Sequence, residues 1–141
     1  MLSKNVKLDL HEAAFSGNVG LLRLLLDQGE DPDGRSLHGQ TALHRASMNG
    51  NLDCARILIS YGAQTHMQDQ AGCTPLHYAA GNGHLVLVKW FIHEVDVNLT
   101  PKSNKERTPR MLAKRNGHSK VAHFLAEMEN KQSGFSWLGS P

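Results

Sequence analysis

One eleven-residue block recurs at a nearly fixed step, and that step limits what this chain can fold into more than any other feature. The block runs Thr74-Pro75-Leu76-His77-Tyr78-Ala79-Ala80-Gly81-Asn82-Gly83-His84. It has counterparts 33 residues back at Thr41 to Asn51, another 33 back at Leu8 to Asn18, and 34 forward at Thr108 to His118. Gly17, Gly50, Gly83 and Gly117 keep step, as do His11, His44 and His77. A unit of this length cannot cover its own apolar face, so units of this kind must stack into one continuous core. The chain divides into an N-terminal extension (1–7), four units at about 8–40, 41–73, 74–107 and 108–130, and a flexible C-terminal tail (131–141).

Each unit reads as two helices. Thr is a good N-cap and Pro suits the first helical position, so Thr74-Pro75 and Thr108-Pro109 start a first helix, which the glycine nine residues on stops. Ala13, Ala46, Ala79 and Ala113 are small enough for these first helices to lie close together. The second helix carries an apolar stripe at helical spacing. Its members are Leu21, Leu22, Leu25 and Leu26, then Cys54, Ala55, Leu58 and Ile59, then Leu87, Val88, Phe91 and Ile92, then Val121, Ala122, Phe124 and Leu125.

A period near 33 carrying Thr-Pro-Leu-His-x-Ala resembles the ankyrin repeat. The resemblance covers about residues 8–130 and implies an all-α solenoid of helix-turn-helix pairs joined by short β-hairpin fingers. It also implies that His11, His44 and His77 hydrogen-bond across the finger bases. Metal ligation does not fit these histidines, because equivalent helices sit about 8–10 Å apart while zinc needs its ligands at about 2.0–2.3 Å from one centre.

The remaining properties narrow the class. Fifteen Lys and Arg against thirteen Asp and Glu leave a formal +2, too mild to require nucleic acid or a membrane. No apolar run reaches the ~20 residues of a span, and the first residues lack a signal-peptide core. A cytoplasmic or nuclear monomer is expected. Cys54 falls on a buried stripe and Cys73 at a finger base, so neither is expected in a disulfide. No phosphate loop, nucleophile elbow or metal-spaced cysteine pair is present, so no enzymatic activity and no cofactor are expected.

The units are not identical. Unit one lacks the Thr-Pro entry and carries Asp9 and Glu12, as a polar N-terminal cap does; unit four has Arg110 and Lys114 where inner units have leucine and alanine, as a C-terminal cap does. The second helix of unit three runs into Glu94 where a terminating glycine is expected. One residue is therefore expected to be missing at that junction, and the next finger, 98–107, counts as two residues longer than its neighbours. In the tail, Phe135, Trp137 and Leu138 stand among Gly, Ser and Pro; they are read as a frayed end, with folding back onto the last unit or a short binding motif as alternatives.

Function is then a matter of recognition. The resemblance implies a concave face built from fingers and exposed first-helix positions. Its candidate partner-binding residues are Phe15, Leu37, His38, Gln40, Met48, Asn49, Gln70, Tyr78, Asn82, Lys102, Lys105, Arg107 and Arg115. Phe15, Leu37, Met48 and Tyr78 form a candidate apolar patch where polar residues are free to sit. Charge is graded along the stack, with six acidic against two basic residues over 8–40 and seven basic against one acidic over 99–120. The expected function is an adaptor, scaffold or stoichiometric inhibitor that binds another protein. The alternative is binding of nucleic acid or an acidic ligand at the basic end.

Overall fold

The computed structural model describes residues 9–138, with side chains as far as residue 132. Eight α-helices follow in pairs: α1 (Leu10–Ser16) and α2 (Val19–Asp27), α3 (Ala42–Met48) and α4 (Leu52–Ser60), α5 (Pro75–Gly81) and α6 (Leu85–Trp90), α7 (Pro109–Arg115) and α8 (Ser119–Leu138). A π-helical turn over Phe91–Val95 extends α6. No strand occurs among the described residues, so the architecture is the all-α solenoid that the repeat implies.

Helix starts follow the capping chemistry. The Thr41 hydroxyl accepts from the His44 N–H at 3.3 Å, and His44 Nδ1 accepts from the Thr41 N–H at 3.0 Å. Histidine thus closes a capping box that glutamate or glutamine usually closes. Thr74 and His77 repeat this at 2.9 Å. Asp9 caps α1 through the His11 N–H at 2.9 Å.

The first helices form one row, α1 on α3 on α5 on α7, and each packs on its own second helix. Ala13, Ala46, Ala79 and Ala113 line that row fully buried. Leu22, Leu58, Leu87 and Leu125 are buried behind it, each stabilising the stack by about 1.5–3 kcal/mol through area removed from water. The predicted stripes are buried at Leu22, Leu25, Leu26, Cys54, Ala55, Leu58, Leu87, Val88, Phe91, Ile92, Val121 and Leu125, while Leu21, Ile59, Ala122 and Phe124 are half-buried against that core and Ile57 joins it in unit two. Cys54 is buried and Cys73 intermediate, both as free thiols.

The irregularity of unit three lies elsewhere than the sequence suggests. The Asp96 N–H bonds to the Phe91 carbonyl, five residues back, and Asp96 takes left-handed backbone at φ 58°. Gly62, with φ 96°, holds this corner in unit two, so the step between units rises from 33 to 34 inside the π turn. An i→i+5 bond admits one extra residue while Phe91 and Ile92 both stay in the core. From there on, 98–107 matches 64–73 residue for residue: Ser103 N–H bonds to Arg107 O at 2.9 Å as Asp69 N–H bonds to Cys73 O at 3.0 Å. The expectation of a missing residue and a lengthened third finger is therefore corrected. The junction gains a residue and the finger has ordinary length.

At the C-terminal end Lys114 is exposed, and Arg110 pairs with Glu129 at 2.9 Å. The segment expected as a flexible tail from residue 131 continues α8 in its backbone as far as Leu138. The expected extension 1–7, the tail residues 139–141, and the side chains of Phe135, Trp137 and Leu138 lie outside the described residues.

Candidate functional site

The three fingers are held shut at their bases by histidine. His44 Nδ1 already accepts a backbone N–H, so Nε2 carries the proton and donates to the Cys73 carbonyl at 2.8 Å. His77 donates in the same way to the Arg107 carbonyl at 2.8 Å. In unit one His11 Nε2 lies 2.9 Å from the Gly34 carbonyl and 3.1 Å from that of Gln40. Burial disfavours the charged imidazole, and both His44 and His77 are held below the usual histidine range. The role implied for these histidines is the one they have.

Each finger is closed by two backbone bonds, such as Ser36 N–H to Gln40 O at 2.8 Å and Gly39 N–H to Ser36 O at 2.9 Å, and successive fingers are then tied together. Gln70 N–H bonds to His38 O at 3.1 Å and Asn104 N–H to Ala71 O at 2.9 Å. Side chains double these ties: Gln70 Nε2 to Leu37 O at 3.2 Å and Asn104 Nδ2 to Gln70 O at 2.8 Å. Leu37, Gln70 and Asn104 therefore stand in one row, with His38, Ala71 and Lys105 beside them.

A second row runs along the C-terminal ends of the first helices. Asn49 Nδ2 donates to Phe15 O at 2.7 Å, Asn82 to Met48 O at 2.9 Å and Asn116 to Gly81 O at 2.8 Å. These bonds align Phe15, Met48, Gly81 and Arg115.

Between the rows lies a polar knot at the base of the second finger. Asp69 is nearly buried; its Oδ1 accepts the Ala71 and Cys73 N–H groups at 3.0 Å each, and its Oδ2 accepts from the Tyr78 hydroxyl and from Gln40 Nε2 at 3.3 Å. Burial opposes ionisation of this carboxyl, but the donors prevail and hold it below the usual carboxylate range. Burial and the Asp69 bond push the Tyr78 phenol well above its ordinary range. Burial also pushes up the Cys73 thiol, with Asp69 adding to it.

The structure brings the candidate residues into these two rows and the band between them, but it gives several of them internal work. Asn49, Asn82 and Gln70 bond to the preceding unit, Tyr78 and Gln40 to Asp69. Phe15 lies under the Arg45 guanidinium at 4.4 Å, and Met48 is half-exposed. Of the four large side chains expected in an apolar patch, Leu37 alone stands free, at 87% exposure. At the basic end Lys102 lies 3.8 Å from Glu106. Lys105, Arg107 and Arg115 form no ion pair among the described residues, and Lys105 and Arg115 are exposed.

Asp69 and Arg45 escaped the sequence reading. Asp69 aligns with Ser36 and Ser103 at finger corners, and Ser103 Oγ likewise accepts two backbone N–H groups at 3.3 Å. A turn-forming residue at that register is the signal that marks it. Among the described residues no group of three or more His, Cys, Asp or Glu is placed to hold a metal, and no helix is long and apolar enough to cross a membrane.

The family model for ankyrin repeats, itself a model of three copies, matches residues 10–101 and 61–135. None of the curated proteins compared with the chain matches it.

Proposed function

The chain belongs to the ankyrin-repeat family, whose repeats generally mediate protein–protein interaction, and from that premise we propose that it binds another protein across its fingers and first helices. The role is that of an adaptor, scaffold or stoichiometric inhibitor without catalysis of its own. The observation that carries this reading is Leu37. A leucine 87% exposed at the tip of the first finger packs on nothing that the fold requires, while its counterparts Gln70 and Asn104 serve the stack. Burying such a side chain against a partner removes its apolar area from water and is worth about 1.5–3 kcal/mol.

A second reading rests on the basic end. Lys105, Arg107 and Arg115, unpaired among the described residues, suit an acidic surface, whether of protein or nucleic acid. Contacts of that kind raise association rates and weaken with salt.

Leu37→Asp tests the first reading. Proteins captured from a lysate by the intact chain are compared with those captured by this variant and by Val86→Asp, which alters another open apolar residue, 69% exposed, on a second helix. Capture is expected to fall about ten-fold or more with Leu37→Asp and to persist with Val86→Asp. Equal capture by both variants refutes the role given to the finger tip.

A further inference from the structure

Between the bases of the second and third fingers lies an open cleft of about 270 Å³, and the same place one unit earlier shows what it lacks. There, Asp33 Oδ1 reaches across and accepts the Gln64 N–H at 2.8 Å. Arg35 donates to the Gly39 and Gln68 carbonyls at 2.9 and 2.7 Å, with its other nitrogen 3.8 Å from Met67 Sδ. One unit on, His66 stands in place of Asp33, Gln68 in place of Arg35, Pro101 in place of Met67 and Asn98 in place of Gln64. Gln68 keeps the wiring of Arg35 with a shorter arm, donating to the Gly72 and Lys102 carbonyls at 3.0 and 3.3 Å.

Two long side chains have thus been replaced by shorter ones, which opens the cleft. The bridging carboxylate has become an imidazole. The Asn98 N–H, equivalent to the one that Asp33 caps, meets no acceptor among the described residues.

The surroundings have the matching chemistry. Leu76, Val97 and Pro101 supply apolar wall, His66 and Lys102 stand at the rim, and no carboxylate lines the cleft. Lys102 has Glu106 at 3.8 Å, but their side chains are 63% and 78% exposed, and such a pair contributes little. A better-placed acid can displace it.

We propose that this cleft receives a carboxylate, the side chain of an aspartate or glutamate on the partner protein. The carboxylate accepts from the Asn98 N–H, as Asp33 does from Gln64, and pairs with Lys102. Hydrogen bonds in which one side is charged are roughly twice as strong as neutral ones, so the site gives an acidic residue a fixed register against the stack. The proposal rests on the partner being a protein. It is nevertheless separable from the role of Leu37, because the cleft lies at the finger bases and the leucine at a tip.

The test is an amide NMR titration of the full chain with N-acetyl-glutamate N-methylamide, beside its glutamine counterpart and inorganic phosphate. The Asn98 amide is expected to shift saturably with the glutamate compound, together with His66 and Lys102, and to stay in place with glutamine. Equal shifts from glutamine, or no shift at Asn98, overturn the proposal; a larger response to phosphate than to glutamate replaces it with a phosphate site.

Two variants guard the reading, each checked by thermal melting. His66→Asp restores the internal carboxylate, and is expected to shift the Asn98 amide without ligand and weaken the glutamate compound about ten-fold or more. Gln68→Met with Pro101→Met refills the cleft with long uncharged side chains in the places that Arg35 and Met67 take in the earlier one, and is expected to abolish the response. Undiminished binding by a folded form of either variant would refute the site, whatever the Leu37→Asp variant does to partner capture.

Discussion

Gly72 and Glu106 occupy the same corner of the second and third fingers, and both hold left-handed backbone, at φ 78° and 61°. Only one of them has to be glycine. A Cβ at Gly72 would stand 2.6 Å from the backbone nitrogen of Asn104 and 2.4 Å from its side-chain oxygen, because the third finger presses on the second. No finger follows the third among the described residues, so Glu106 bears only the conformational cost of a left-handed residue. At the corners that follow α2 and α4, Gly29 and Gly62, the conformational constraint acts alone. No described atom lies within 4 Å of a Cβ built at Gly62, and in unit three Asp96 takes that corner. Two constraints that coincide at Gly50, Gly72 and Gly83, backbone conformation and a close neighbour, are therefore separable in this chain.

The largest effect is expected where both constraints act. Gly72→Ala combines left-handed strain with a clash against backbone that cannot rotate away, and is expected to cost roughly 2–4 kcal/mol. Gly62→Ala carries the strain alone and is expected to cost about 1–2 kcal/mol. Urea denaturation of both variants measures the difference, and equal losses would show that the neighbouring finger adds nothing.

Acid comes next. His44 and His77 are depressed by burial, so the unfolded chain binds their protons first. Stability is then full above the unfolded histidine value of about 6.5 and falls as pH drops below it, by at most about 1.4 kcal/mol per pH unit for each group. The two histidines close successive fingers, the second and the third. His77→Gln keeps a residue suited to the capping box while removing one titration. The variant is expected to lose part of the acid sensitivity in denaturation midpoints taken from pH 7.5 to 5. An unchanged pH slope would exclude His77 as a source of it.

The smallest effects are expected where conformation is the sole cost. Asp96→Gly and Glu106→Gly relieve a left-handed non-glycine residue and are each expected to stabilise by about 1 kcal/mol or less. For Asp96 the gain measures how well the π turn tolerates its extra residue. Destabilisation by either change, seen as a lower melting temperature, would mean that the native side chain makes a contact worth more than the strain.

Much of this was legible in the residues because it is written locally. Threonine before proline, histidine three residues on, alanine at the crowded position and a stripe at helical spacing each act within one unit, and a 33-residue period says that the units repeat. Those rules were enough for eight paired helices and the buried row of alanines, while the histidine bonds at the finger bases followed from the family resemblance. The location of the extra residue was not local in this sense. Counting between anchors shows that the third step is 34, but only the helix geometry shows that a π turn absorbs it and that the finger keeps its length.

The candidate site divides along the same line. The residue types at the finger and helix positions marked side chains that the fold brings into neighbouring rows, yet Asn49, Asn82, Gln70 and Tyr78 read from sequence as free to meet a partner. Three of them instead reach carbonyls 33 or 34 positions away, and Tyr78 reaches Asp69. Whether a polar side chain turns to solvent or to the neighbouring unit depends on distances that exist only once the units have stacked. The cleft beside Asn98 has the same origin. It is the space left when side chains brought together by stacking are shorter than those of the preceding pair. The sequence by itself determined the unit and its repetition, because capping and periodicity are local; the stack decided which polar groups remain free, because those hydrogen bonds are made between units.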